Sequence, residues 1–119
     1  LNDGMAKLLG ESLNRLSGLQ RLELDDNDVS TEGFEAIAQG SPRSLHEFRM
    51  DGNRVADLEH AQHLPWQSLK VFSMCSNGLL DASGTQLAAC FEHSNYPVKV
   101  LKNFEKKQMT TQKRFSVDP

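Results

Sequence analysis

An eleven-residue pattern occurs three times in this chain and narrows the architecture more than any other feature. It runs Leu19-x-x-Leu22-x-Leu24-x-x-Asn27-x-Val29, then Leu45-x-x-Phe48-x-Met50-x-x-Asn53-x-Val55, then Leu69-x-x-Phe72-x-Met74-x-x-Asn77-x-Leu79. Apolar residues hold positions 1, 4, 6 and 11, and asparagine holds position 9. Serial repetition at near-constant spacing implies stacked units, each burying its apolar residues only against its neighbours.

Remnants flank the three clear copies. Val98-x-x-Leu101-x-Asn103 keeps the spacing of a fourth, but Asn103 is polar and Lys106 stands where asparagine is expected. Upstream, Leu1-Asn-Asp-Gly4 resembles Val29-Ser-Thr-Glu-Gly33, and Leu79-Leu-Asp-Ala-Ser-Gly84 is a further variant. The chain therefore reads as opening at the end of one unit's strand motif, as part of a larger chain or complex.

These residues resemble the leucine-rich repeat family, and more narrowly its ribonuclease-inhibitor-like subtype, in which a helix follows each strand. The resemblance covers residues 1–104. It implies an α/β solenoid: a short curved arc with a parallel sheet on the concave face and helices on the convex face. About four repeats are expected, the first truncated and the last degenerate, followed by a basic C-terminal tail at 105–119.

The physical reading of each unit agrees with that architecture. Apolar residues at positions 4 and 6 give the period-2 signal of a short strand with one buried face. The asparagine at position 9 carries donors and an acceptor, so Asn27, Asn53 and Asn77 should stack and satisfy backbone where the chain leaves the sheet. Ser30 or Thr31 caps a helix over 32–39, with Gly40 and Pro42 as stop signals. Asn2 or Asp3 caps one reaching Leu13, with Leu8, Leu9, Leu13 and Leu16 as its apolar stripe. Asp81 or Ser83 caps 84–93, with Leu87, Ala88 and Phe91 inward. The return at Asp57–Leu64 meets Pro65 and has room for a helical turn or two, with Trp66 filling the core behind it.

At 119 residues the chain suffices for one modest core. It contains no run approaching the ~18 apolar residues of a membrane span. Cys75 and Cys90 fall on opposite sides of the expected sheet, too far apart for a disulfide, which points to a reducing compartment and a cytoplasmic location. The net charge of −3 hides an asymmetry: residues 102–119 carry five bases against two acids, leaving an acidic body. Nucleic-acid binding by that body is disfavoured.

Positions 3, 5, 7 and 8 should line the concave face in columns. Position 3 gives Arg21, Glu47, Val71 and Val100; position 5 gives Glu23, Arg49, Ser73 and Lys102; position 7 gives Asp25, Asp51, Cys75 and Phe104. Arg21 opposes Glu47 and Glu23 opposes Arg49, pairs that register and solubility suffice to explain. Asp25, Asp26, Asp28 and Asp51 form an acidic rim with few partners apart from Arg54, suited to a protein with a basic surface. Val71, Cys75, Val100 and Phe104 form an apolar patch bordered by charge, unless the tail folds over it.

Catalytic and metal chemistry find no support. His60 and His63 lie in a short return without a third ligand at matching spacing, and Cys90-x-x-His93 offers two ligands at most. Asp25-Asp26-x-Asp28 lacks the glycine and distal glutamate of a calcium loop. The expectation is a non-enzymatic protein-protein interaction module without cofactor or metal, part of a larger intracellular assembly. Two alternatives stand beside it: a GTPase-regulating protein using Arg49 or Arg54, and a C-terminal structural cap of a longer solenoid.

Overall fold

The computed structural model describes residues 2–79, 82–90, 98–101 and 115–118. Along them run α1 (Asp3–Leu13), β1 (Arg21–Glu23), α2 (Thr31–Gly40), β2 (Glu47–Arg49), a 3-10 helix (Glu59–His63), β3 (Val71–Ser73), α3 (Ala82–Cys90), β4 (Val98–Leu101) and β5 (Phe115–Asp118). All five strands are parallel and lie side by side in chain order. The architecture is mixed α/β.

Register is set by the repeated motif. Leu22 pairs with Phe48 and Phe48 with Phe72, so the position-4 residues form one row. That row is buried against the helices. Phe34 of α2 meets Phe48 edge-on at 6.0 Å, and Phe48 stacks on Phe72 at 5.8 Å. Trp66 closes the row behind β3, 5.3 Å from Phe72, and its indole N–H donates to the carbonyl of Ala61 at 2.7 Å. This is the core-filling role expected where the return shrinks to a 3-10 helix.

The asparagine column stacks as expected. Asn53 Nδ2 donates to the carbonyls of Leu24, Met50 and Asp51, while its Oδ1 accepts from the amide of Val29. Asn77 repeats this one unit on, donating to Met50, Met74 and Cys75 and accepting from Val55. Each amide thus ties its own turn to the one before it. Satisfaction of buried backbone is the physical reason that this position tolerates so little variation among the three copies.

The returns follow the sequence reading in part. Asn2 is the cap of α1, its Oδ1 accepting from the amide of Met5 at 3.0 Å. Asp3 instead reaches across to α2, accepting from both the amide and the hydroxyl of Ser30. Ser30 stands at the cap position of α2 without bonding that helix through its side chain. The apolar stripe of α1 holds in part: Leu13 is buried and Leu9 packs on the core, joined by Ala6 and Gly10, whereas Leu8 is 65% exposed and Leu16, past the end of the helix, 49%. The cause is a close crossing of α1 and α2. A Cβ added at Gly40 would lie 1.9 Å from the carbonyl oxygen of Gly10, and one at Gly10 would lie 2.3 Å from that of Ala36. Backbone-to-backbone contact at the glycines fixes how α1 is turned about its axis. Gly40 therefore permits a helix contact as well as ending a helix.

α3 starts at Ala82, which places Ser83 inside its first turn rather than at its cap; Asp81, Phe91 and His93 lie outside the described residues. Leu87 is buried as expected, and so is Cys90. Burial pushes the Cys90 thiol up to about 12, against the opposing influence of a Trp66 hydrogen bond, so it stays protonated and unreactive. Within the segment read as a tail, Phe115–Asp118 add β5 beside β4. Among the described residues, no helix is long and apolar enough to cross a membrane.

Candidate functional site

The face of the sheet away from the helices carries odd-numbered motif positions from consecutive strands. Arg21 and Glu23 come from β1, Glu47 and Arg49 from β2, and Val71 from β3, with Cys75 just beyond it. Arg21 and Glu23 are exposed, while Glu47, Arg49, Val71 and Cys75 are half-buried. Strand alternation makes this arrangement: Leu22, Phe48 and Phe72 take the buried face, so their neighbours must take the other.

Charge is arranged as a chain of contacts rather than as two isolated pairs. Arg21 lies opposite Glu47 in the register and bonds it at 2.9 Å, as expected. Glu23 lies opposite Arg49, but the Arg49 guanidinium turns to Glu47 at 2.6 Å on its own strand. Arg21 in turn holds Glu23 at 2.9 Å. Glu47 thereby sits between two guanidinium groups. The Glu47 hydrogen bond, outweighing partial burial, raises the Arg49 pKa above its ordinary value and keeps it charged.

The acidic rim is only in part a free surface. Asp25 Oδ1 accepts from the amide of Asp51 at 2.8 Å, and Asp51 Oδ1 accepts from the amide of Cys75, also at 2.8 Å. The Ser73 hydroxyl adds a second bond to Asp51 Oδ1 at 2.6 Å. These two carboxylates join successive strands, as a second ladder next to the asparagines. Asp28 pairs with Arg54. Asp26 remains exposed at the turn, with φ of 56°. Its column mates Gly52 and Ser76 are also left-handed, at 70° and 56°. Glycine suits the middle of this column, because a Cβ on Gly52 would lie 2.2 Å from Asp26 Oδ1 and displace that side chain.

Two expected site residues are corrected. Ser73 is fully buried rather than displayed, its small side chain drawn under Asp51 by their hydrogen bond. Val100 pairs with Phe72, and Lys99 takes the place opposite Val71. The fourth strand is therefore paired one residue out of the expected frame. The Val98-x-Val100 alternation is compatible with that frame, whereas the Val98-to-Leu101 spacing suggests the other. Lys102 and Phe104 lie outside the described residues. Of the expected apolar patch, the described side chains are Val71 and Cys75.

Several positioning groups were missed at the sequence level. The Ser44 hydroxyl donates to the carbonyl of Leu19 at 2.6 Å, and the Ser68 hydroxyl to that of Arg43 at 2.7 Å and of Leu45 at 3.0 Å. The signal was present, since serine precedes the first leucine in two of the three copies. On the helix side, His60 Nε2 lies 3.5 Å from Glu35 Oε2, and His63 stacks on His60 at 6.2 Å. Compared with known protein families and with curated proteins, the chain matches none.

Proposed function

We propose that this chain is an arc of leucine-rich-repeat type, a short solenoid that acts as a non-enzymatic protein-binding module in a larger intracellular assembly. One observation carries the reading. The open sheet face gathers five side chains from three adjacent strands, with Cys75 just beyond β3, charged across β1 and β2 and apolar toward β3. Charge beside exposed apolar surface on a rigid backbone suits recognition of another protein, with charge steering the approach and the apolar end supplying burial. Arg21, Glu23, Glu47, Arg49, Val71 and Cys75 are the contact residues, with Asp26 at the rim. Asp25, Asp51 and Ser73 support them from below. A role for Arg49 or Arg54 as a catalytic arginine gains nothing from the geometry, since Glu47 holds the first and Asp28 the second.

The test is affinity capture from native extract, with quantitative mass spectrometry comparing three forms of the chain. Proteins retained by the natural chain should be lost with Val71→Glu and weakened with Glu23→Lys, the second loss shrinking as salt screens the charge. Gln62→Glu, an exposed change on the 3-10 helix, should leave capture intact. Retention by Val71→Glu of everything the natural chain retains would remove the open face from the interaction.

A further inference from the structure

We propose that Asn77 is a site of spontaneous covalent modification, losing its side-chain amide to attack by the backbone nitrogen of Gly78. The three ladder asparagines supply the comparison. Asn27 is followed by Asp28 and Asn53 by Arg54, whereas Asn77 is followed by glycine. Gly10, Gly33 and Gly40 lie at close contacts, and Gly52 takes a left-handed φ. Gly78 answers to neither demand: its φ is not left-handed, and a Cβ there would meet nothing within 4 Å among the described residues. What glycine does at this place is leave the nitrogen beside Asn77 uncrowded.

That nitrogen is also untied. Asp28 and Arg54 are each held in a parallel bridge, to Asn2 and Ser30 respectively. The amide of Arg54 donates to the carbonyl of Val29 at 2.8 Å, which fixes the backbone just past Asn53. One unit on, Gly78 has neither a bridge nor an amide hydrogen bond among the described residues. Gly78 is exposed and Asn77 half-buried, whereas Asn53 is only 7% exposed. The electrophile is prepared equally in both units. Oδ1 accepts from Val29 at 3.1 Å in Asn53 and from Val55 at 3.0 Å in Asn77, a donor set where negative charge gathers as nitrogen adds to Cγ. The difference between the two therefore lies in the nucleophile. Because it belongs to the next residue, no encounter is needed, only rotation within the turn.

Water is the one co-reactant. The Gly78 nitrogen gives its proton to hydroxide and bonds to Cγ. The Cγ–Nδ2 bond breaks, and that nitrogen leaves as ammonia with a proton drawn from water. Water then opens the cyclic imide at either carbonyl, giving aspartate or its β-linked isomer. Neither product can donate. Asn77 Nδ2 donates to the carbonyls of Met50, Met74 and Cys75, so the change removes these bonds and sets a carboxylate against their oxygens. The seam between the second and third units weakens, and refolding does not restore it.

Incubation of the full, folded chain in mildly alkaline buffer, followed by peptide mapping with fragment mass spectra, tests the proposal. Conversion at Asn77 should outrun that at Asn27 and at Asn53 by about tenfold or more. Both isomers should appear, as opening of an imide requires. Gly78→Ala should slow conversion about tenfold and leave the urea midpoint of fresh protein unchanged. Asn77→Asp, which carries the product's charge from synthesis, should unfold at the lower midpoint of the aged chain. Equal rates at the three asparagines overturn the proposal, as does aspartate without its isomer, an unslowed Gly78→Ala variant, or an Asn77→Asp chain as stable as the fresh one.

Discussion

The strand side and the helix side of this molecule obey different rules. Along the strand ends the same bonds recur in successive units: asparagine to the preceding turn, aspartate to the following amide, serine to the neighbouring carbonyl. Behind the sheet the units have little in common. α1 and α2 meet through glycine backbones, whereas the next interval holds a 3-10 helix and the indole of Trp66. Backbone groups demand partners at fixed places, so the strand side admits few solutions. Apolar volume can be filled in many ways, and the helix side uses several.

If that contrast is right, damage on the two sides should differ in kind. Trp66→Ala should cost the most, about 4 kcal/mol in urea unfolding, because an almost fully buried indole leaves a cavity, while the Ala61 carbonyl keeps its bond from the amide of Leu64. A Trp66→Phe variant should regain most of that loss, showing that volume dominates. Asn53→Ala should follow at about 3 kcal/mol, since it strands the buried amide of Val29 and removes bonds to the carbonyls of Leu24 and Met50. Here Asn53→Leu should fail to rescue, because what is lost is polar; recovery by leucine would break the comparison.

The smallest effect concerns Asp3, which links the two sides by reaching from α1 to Ser30. Partial burial pushes its pKa up, but the Ser30 hydroxyl and amide, Arg54 and the Gly33 amide outweigh it and hold the group below 3.8. A carboxylate whose folded pKa is depressed stabilises above the unfolded value, and the contribution disappears as pH falls through the folded one. Asp3→Asn should therefore lower the unfolding midpoint at about pH 6 and leave it unchanged at about pH 2. An equal difference at both pH values would assign the loss to packing instead of charge.

Most of the strand side was legible in the sequence because its determinants are local and repeated. Asn27, Asn53 and Asn77 each state the same requirement, and the rows of Arg21 with Glu47 and Glu23 with Arg49 follow from counting. Where one copy stood alone, counting was ambiguous: Val98, Val100 and Leu101 fit two frames, and the paired strand takes the one opposite to expectation. The helix stripe misled for another reason. Leu8 and Leu16 are apolar at helical spacing, yet the orientation of α1 is decided by Gly10 and Gly40, residues that no hydrophobic pattern marks. Asp25 and Asp51 were read as surface charge because a carboxylate in a turn gives no sign of which amide will approach it.

The two seams behind the sheet bear on the outline of the open face. Parallel strands lie about 4.8 Å apart, whereas packed helices ordinarily keep 8–10 Å between axes. Units that carry a full helix must fan out at the back, as wedges do. Backbone contact at Gly10 and Gly40 thins the first wedge, and the 3-10 helix thins the next, so the front between β1 and β3 bends less than uniform helices would force. On the proposed reading as a binding face, a flatter front would suit the side of an extended segment or another sheet better than a rounded protrusion.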